Sequence, residues 1–255
     1  MIREILKYIR KSDLVIEVID SREPDLTRSR FIENFSIREG KKLLIVLNKG
    51  DLIPVNILES WKKYIEEKEG INCVYISAVK RLGTRVLRRK IRDLISQGKV
   101  IFVGYPKTGK SSIINSLKGR HSASTSPQPM SPGYTKSVQL FRIDSKIYAW
   151  DTPGVIPPDG NKFERAIRGA NPDYIEDVVK VAIELISRVE TYNPGILSKI
   201  YKVEYKEPFE LLEKIAIRRG WYYKLDKEPN IEEAAKVIIR DYHEGKIVYY
   251  YPPPF

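Results

Sequence analysis

The 255 residues carry 45 Lys and Arg against 33 Asp and Glu, a formal charge of +12, with 42% hydrophobic and 31% charged residues. This balance describes a soluble globular chain with room for one substantial domain and a smaller one, and no run approaches the ~18 apolar residues of a membrane span. One cysteine, Cys73, excludes an internal disulfide and any cysteine-based zinc site. No secretory pattern precedes the amphipathic start at Met1-Ile2-Arg3-Glu4, so a cytoplasmic monomer without a membrane partner is expected.

Apolar runs suited to buried strands recur at residues 14–19, 43–47, 73–76 and 100–103. Helical spacing lies between them, as in Trp61, Tyr64 and Ile65 before Gly70. Residues 84–97 predict a linking helix whose core face is Val86, Leu87, Ile91, Leu94 and Ile95. Arg85, Arg88, Arg89 and Arg92 occupy its remaining faces. With Lys80, Arg81 and Lys90 they put seven cations within thirteen positions, which suits either a contact to a phosphate backbone or a solvated face. Residues 119–134 are rich in Ser, Pro and Gly and read as a loop. Residues 138–141 and 147–150, around the turn at Asp144-Ser145, read as an antiparallel edge pair. Periodicity turns wholly helical after about residue 175, over 176–189, 209–219 and 231–242. Pro194-Gly195 is a breaker, Asn230 a cap and Gly245 a stop, and the tail over 249–255 is expected to be extended.

The expected fold is therefore α/β. A mainly parallel sheet with helices on both faces occupies residues 1–175, and a small all-α domain occupies 176–255. The charge divides the same way. Residues 1–175 hold 32 Lys and Arg against 19 Asp and Glu (+13), and residues 176–255 hold 13 against 14 (−1). A polyanionic partner, with nucleic acid first, would meet the basic part.

Five short motifs carry chemistry. Gly104-Tyr105-Pro106-Lys107-Thr108-Gly109-Lys110-Ser111, between a strand and a helix continuing through Ser112, is a phosphate-binding loop. Its amides should face phosphate oxygens at a helix N-terminus, Lys110 should supply charge to the β/γ-phosphates, and the Ser111 hydroxyl should hold Mg²⁺. In Asp151-Thr152-Pro153-Gly154, Asp151 is the Mg²⁺-associated carboxylate and Gly154 offers its amide to the γ-phosphate. Thr135 is the candidate second Mg²⁺ hydroxyl. Asn48-Lys49-Gly50-Asp51 ends a strand. The Asp51 carboxylate can accept from the guanine N1–H and N2–H₂ edge, which adenine lacks, and discrimination by unpaired groups is strong. Asn48 should tie this loop to the phosphate loop, the stem of Lys49 should cover the base, and in Ser77-Ala78 the Ala78 amide should meet guanine O6. Together these select GTP and GDP over adenine nucleotides.

In this chain the base-reading motifs precede the phosphate-binding ones. That order resembles the circularly permuted GTPases of the YlqF/RbgA ribosome-assembly family over nearly the whole chain. Asp20-Ser21-Arg22-Glu23-Pro24 resembles an element near that family's start, and residues 206–242 resemble its C-terminal helical domain. The resemblance implies slow intrinsic GTP hydrolysis coupled to large ribosomal subunit assembly, with ribosomal RNA and ribosomal proteins of the subunit or its precursor as partners. The alternative is an RNA- or ribosome-binding module that uses GTP as a regulatory ligand. Where the family often has an Asn that helps hold K⁺, this chain has Lys107. Its ammonium either lies near the same phosphates or points to solvent, which leaves K⁺ open. Val155 stands where Ras-like proteins carry a water-orienting Gln, so a partner or a rearranged loop must supply that group, with His121 one candidate. Arg218, Arg219 and Lys224, beside Trp221, Tyr222 and Tyr223, form a second candidate RNA contact. The permutation also leads from Gly154 into the helical domain, so nucleotide state is expected to shift that domain's orientation.

Overall fold

The computed structural model describes residues 2–118, 139–151, 154–225 and 227–254, with Gln139 and Asp151 by backbone only. Thr135, His121 and the remainder of the expected 119–134 loop lie outside the described residues. Six strands, β1 (Leu14–Asp20), β2 (Lys42–Asn48), β3 (Asn72–Tyr75), β4 (Gly98–Val103), β5 (Gln139–Asp144) and β6 (Ile147–Asp151), form one sheet in the order β3-β2-β1-β4-β6-β5. All neighbours are parallel except the β5/β6 pair, the antiparallel edge expected around Asp144-Ser145.

The apolar runs become strands because both sheet faces are covered. Every residue of β1 is buried, as a central parallel strand requires. On one face Leu14, Ile16, Val18, Leu44, Val46, Val100 and Phe102 pack with Leu87 and Ile91 of α4 (Thr84–Leu94) and Ile113 and Leu117 of α5 (Lys110–Lys118). On the other, Val15, Leu43, Ile101 and Val103 pack with Ile5 and Ile9 of α1 (Ile2–Arg10) and Ile32 of α2 (Arg30–Arg38). Burying each such aliphatic side chain is worth about 1.5–3 kcal/mol, enough to override the weak propensities of short elements. The spacing around Trp61 becomes α3 (Val55–Lys68), with Trp61 fully buried. The register aligns Asp20 with Asn48, so β1 and β2 end level and their following loops share one end of the sheet.

The chain divides into two compact units, Met1–Pro157 and Pro158–Phe255, eighteen residues before the expected boundary. The reason lies in residues 158–175, which bond to the later helices. α6 (Lys162–Ile167), opened by an Asn161/Glu164 capping box, offers the Ala166 carbonyl to His243 Nε2 at 2.7 Å, and Asp173 pairs with Arg240 at 2.9 Å. The charge contrast survives this boundary: residues 1–157 hold 29 Lys and Arg against 16 Asp and Glu, and residues 158–255 hold 16 against 17. In the second unit α7 (Val178–Tyr192), α8 (Ile196–Tyr201), α9 (Pro208–Arg218) and α10 (Ile231–His243) bury Leu185, Ile186, Leu212, Ile215, Ile238 and Ile239. The tail is held rather than free: Tyr249 is buried between Tyr242 and Tyr192, with ring centroids 6.0 and 6.2 Å away.

Candidate nucleotide-binding site

The phosphate loop leaves β4 through Gly104, whose φ of 157° and whose approach to Val18 exclude a side chain. A Cβ there would lie 2.5 Å from the Val18 carbonyl oxygen. Gly104 also receives the chain that follows β6: its amide donates to the Gly154 carbonyl (3.2 Å), and its carbonyl accepts from Ile156 (3.0 Å). Gly154, the expected γ-phosphate contact, is therefore anchored beside the first glycine of the loop. Lys107 is exposed in the left-handed region at φ 64°, and Pro106 is half-buried beside the buried Tyr105. The Thr108 hydroxyl donates to the Tyr105 carbonyl at 2.9 Å and closes the loop on itself.

Asn48 joins the motifs. Its buried side chain donates from Nδ2 to the Thr108 carbonyl (2.8 Å) and accepts at Oδ1 from the Ala78 amide (3.1 Å). Gly109 makes room for it: at φ 91°, a Cβ would sit 2.1 Å from Asn48 Nδ2. The Ala78 amide, expected to meet guanine O6, is thus already engaged, and guanine has to share it with Asn48. The base-reading segments are joined through the backbone as well. Gly50 donates to the Ile76 carbonyl (2.9 Å), and Ser77 and Leu82 exchange two bonds at 2.9–3.0 Å. Asp51 is exposed in a single 3₁₀ turn, Gly50–Leu52, with its carboxylate open to a ligand.

Lys49, whose stem is expected to cover the base, anchors its head group: the ammonium pairs with Asp20 at 2.8 Å, and Asp20 also binds Arg22 through two contacts of 2.7–3.0 Å. Burial opposes ionisation of Asp20, but Arg22 and then Lys49 outweigh it and hold the carboxyl below the usual range. Burial pushes the Lys49 ammonium down from its ordinary value, with Asp20 opposing and the positive charges of Arg22 and Lys107 adding to the effect. Ser21 ties this turn to the base loop by donating its amide and its hydroxyl to the Asn48 carbonyl at 2.9 and 2.6 Å. The Asp20–Pro24 segment, marked in the sequence only by its likeness to a family element, therefore sets buried charge beside Asn48.

Lys110 is buried in the first turn of α5, which carries no acidic residue, and Ser111 and Ser112 are exposed beside it. Asp151 ends β6, which runs parallel to β4, so its backbone lies at the sheet end that carries the phosphate loop. The exposed Ser111 hydroxyl is a hard oxygen donor of the kind Mg²⁺ takes, and aspartate is a residue type that supplies another. Among the described residues no three His, Cys, Asp or Glu side chains group as a metal site of their own.

The basic candidates separate. Arg88 is half-buried, and its guanidinium donates to the carbonyls of Ile143 (2.6 Å) and Leu117, so it pins α4 rather than meeting a partner. Arg92 pairs with Asp144 at 3.2 Å, whereas Arg85 and Arg89 are exposed. In the second unit Arg218 donates to the Tyr201 carbonyl (3.0 Å), Arg219 lies 4.9 Å over the ring of a half-buried Trp221, and Lys224 is exposed. Cys73 is buried, which pushes its thiol well up.

Residues 99–214 match the family model described as 50S ribosome-binding GTPase. An uncharacterized GTP-binding protein of Methanocaldococcus jannaschii is 38% identical over 96% of this chain and 65% of its own length. Nucleolar GTP-binding protein 2 of Saccharomyces cerevisiae is 32% identical over 98% of this chain and 53% of its own length. The chain thus spans about half to two-thirds of the curated relatives it matches. The crystal structure of GNP-bound YlqF from T. maritima superposes with a TM-score of 0.71, covering 98% of this chain and 97% of that one at 24% identity. The likeness drawn from motif order is borne out in the fold: the chain has the circularly permuted YlqF fold.

Proposed function

We propose that the chain hydrolyses GTP with Mg²⁺ and couples that turnover to assembly of the large ribosomal subunit. The observation that carries this reading is the Asn48 amide, which holds the phosphate loop at Thr108 and the base-reading segment at Ala78 with one side chain. Motifs separated by up to 60 residues therefore form one nucleotide site. Asp51 reads the guanine edge, and the loop amides with Lys110 cradle the phosphates. Ser111, Thr135 and Asp151 would hold Mg²⁺, which would supply positive charge to offset that of the phosphates. Val155, half-buried and paired with Gly104 through the backbone, has no side-chain polar atom to orient water, so the intrinsic rate is slow.

The ribosomal part rests on the description of the matched family model and on the nucleolar GTP-binding relatives. The charge of +13 on residues 1–157 suits ribosomal RNA. The test is GTP hydrolysis by the purified protein with and without large subunits, in K⁺ and in Na⁺. Stimulation by the subunit is expected. Equal rates in the two salts assign the cation's place to the Lys107 ammonium, whereas faster turnover in K⁺ means Lys107 points to solvent. Tight GTP binding without turnover under any of these conditions contradicts the reading and favours a regulatory ligand.

A further inference from the structure

Two hollows flank α4, and their charges differ. Both are lined by Gly83 and Val86. The smaller, about 390 Å³, sets Lys62, Arg89 and Lys90 against Glu59, Glu66 and Asp93. Three cations face three carboxylates, and Lys90 lies 3.9 Å from Glu66. The larger, about 630 Å³, lies between the turn at residues 81–83 and α5, and it is lined by Arg81, Leu82, Thr84, Arg85, Asn115 and Ser116. It contains two guanidinium groups and no carboxylate. Both arginines are exposed, and neither guanidinium has an ion-pair partner among the described residues.

We propose that the larger hollow docks the phosphodiester backbone of RNA, an inference that rests on the RNA partner read above. Charge complementarity carries it: an unbalanced pair of arginines in a unit of net charge +13 attracts a polyanion, and a guanidinium fork matches phosphate oxygens. The other side chains favour a nucleic acid over an acidic peptide. The Asn115 amide offers neutral hydrogen-bonding groups suited to ribose hydroxyls, as does the Ser116 oxygen, which donates to the Ile113 carbonyl at 2.7 Å and can still accept, and Leu82 and Val86 are too few to anchor a peptide helix. Leu82 and Val86 are instead 60% and 45% exposed, and with Val79 at 78% they offer flat apolar contact to riboses and bases. The site belongs to the turn that pairs Leu82 with Ser77, yet it is distinct from the guanine contacts at Asp51 and Ala78.

The test uses the full chain and a fluorescein-labelled RNA of about 20 nucleotides, followed by anisotropy between about 50 and 200 mM KCl. Replacing both arginines (Arg81→Gln with Arg85→Gln) should weaken binding roughly tenfold and lower the slope of log affinity against log salt by about 1.5–2, two phosphate contacts' worth. Affinity for a fluorescent GDP should stay within about twofold, showing an intact fold, and Arg89→Gln on the balanced side should leave the slope in place. An unchanged slope in the double variant, or an equal loss with Arg89→Gln, overturns the site while leaving the RNA partner standing. Failure of the unaltered chain to bind RNA overturns both. Displacement of the RNA by polyglutamate as efficiently as by unlabelled RNA assigns the hollow to an acidic protein and overturns the proposal as well.

Discussion

The first strand carries two buried polar assemblies, and they do different work. At its C-terminal end Asp20, Arg22, Lys49 and Asn48 surround the junction of the nucleotide loops. Three residues earlier, Glu17 faces a network in which a fully buried Arg28 pairs with Glu33 (2.8 Å) and Glu69 (2.6 Å), and Arg30 adds contacts to both. The junction works through a neutral amide that positions backbone, and its carboxylate is held ionised by two cations. The network is rich in carboxylates and joins α2 to the end of α3 without touching a nucleotide motif. Damage to the network should therefore cost stability, whereas damage to the junction should cost ligand affinity.

The largest expected effect is on the network. Arg28→Met leaves Glu33 and Glu69 without their buried counter-charge and should destabilise the fold by about 3–5 kcal/mol, with GTP affinity of the folded fraction unchanged. Denaturant unfolding alongside nucleotide titration checks both halves, and a stable variant with lost affinity would reverse the assignment. At the junction, Gly109→Ala places a Cβ against Asn48 at a φ of 91° and should cut GTP affinity at least about 100-fold, while circular dichroism stays native. An affinity within threefold of the unaltered chain means that the amide does not need that space.

The smallest effect is a pH dependence. Burial first, and then the charge of Glu33, push the Glu17 carboxyl well up, against a 2.6 Å bond from the Ser29 amide and the charge of Arg28. Its Oε2 has no partner among the described residues. A carboxyl raised on folding stabilises the fold below its ordinary pKa of about 4.3, and that contribution is lost as pH rises towards the folded value. Glu69 has the opposite sign. Burial raises it, but bonds from Arg30 and Arg28 pull it down to about 2, so its contribution is present above the ordinary range and lost in acid. Glu17→Gln should therefore gain stability relative to the unaltered chain as pH is raised from 4 to 7. A difference that stays constant with pH would mean Glu17 is ionised in the fold.

These two assemblies also mark what the sequence discloses. The strands were readable because parallel strands buried on both faces must be apolar, and Glu17 is the lone break in the run from Leu14 to Ile19. The phosphate loop and Asn48–Asp51 were readable because their chemistry fixes residue types at short spacing. The Arg28 network was not, since its partner Glu69 lies 41 residues away and no local pattern pairs them. For the same reason Arg88 read as surface: helical spacing placed it off the core face, but only the fold brings the Ile143 and Leu117 carbonyls to it. The unit boundary was missed despite a local signal, the capping box of Asn161 and Glu164 that opens α6. It signals a helix without saying which unit that helix joins.

The central claim, that base reading and phosphate binding meet in one guanine-selective site, is tested most directly by the ratio of GTP to ATP affinity before and after Asp51→Asn. The account predicts a preference for GTP of at least about 100-fold that falls by about tenfold or more in the variant, because the carboxylate that accepts from the guanine edge is gone. An unchanged ratio would contradict it.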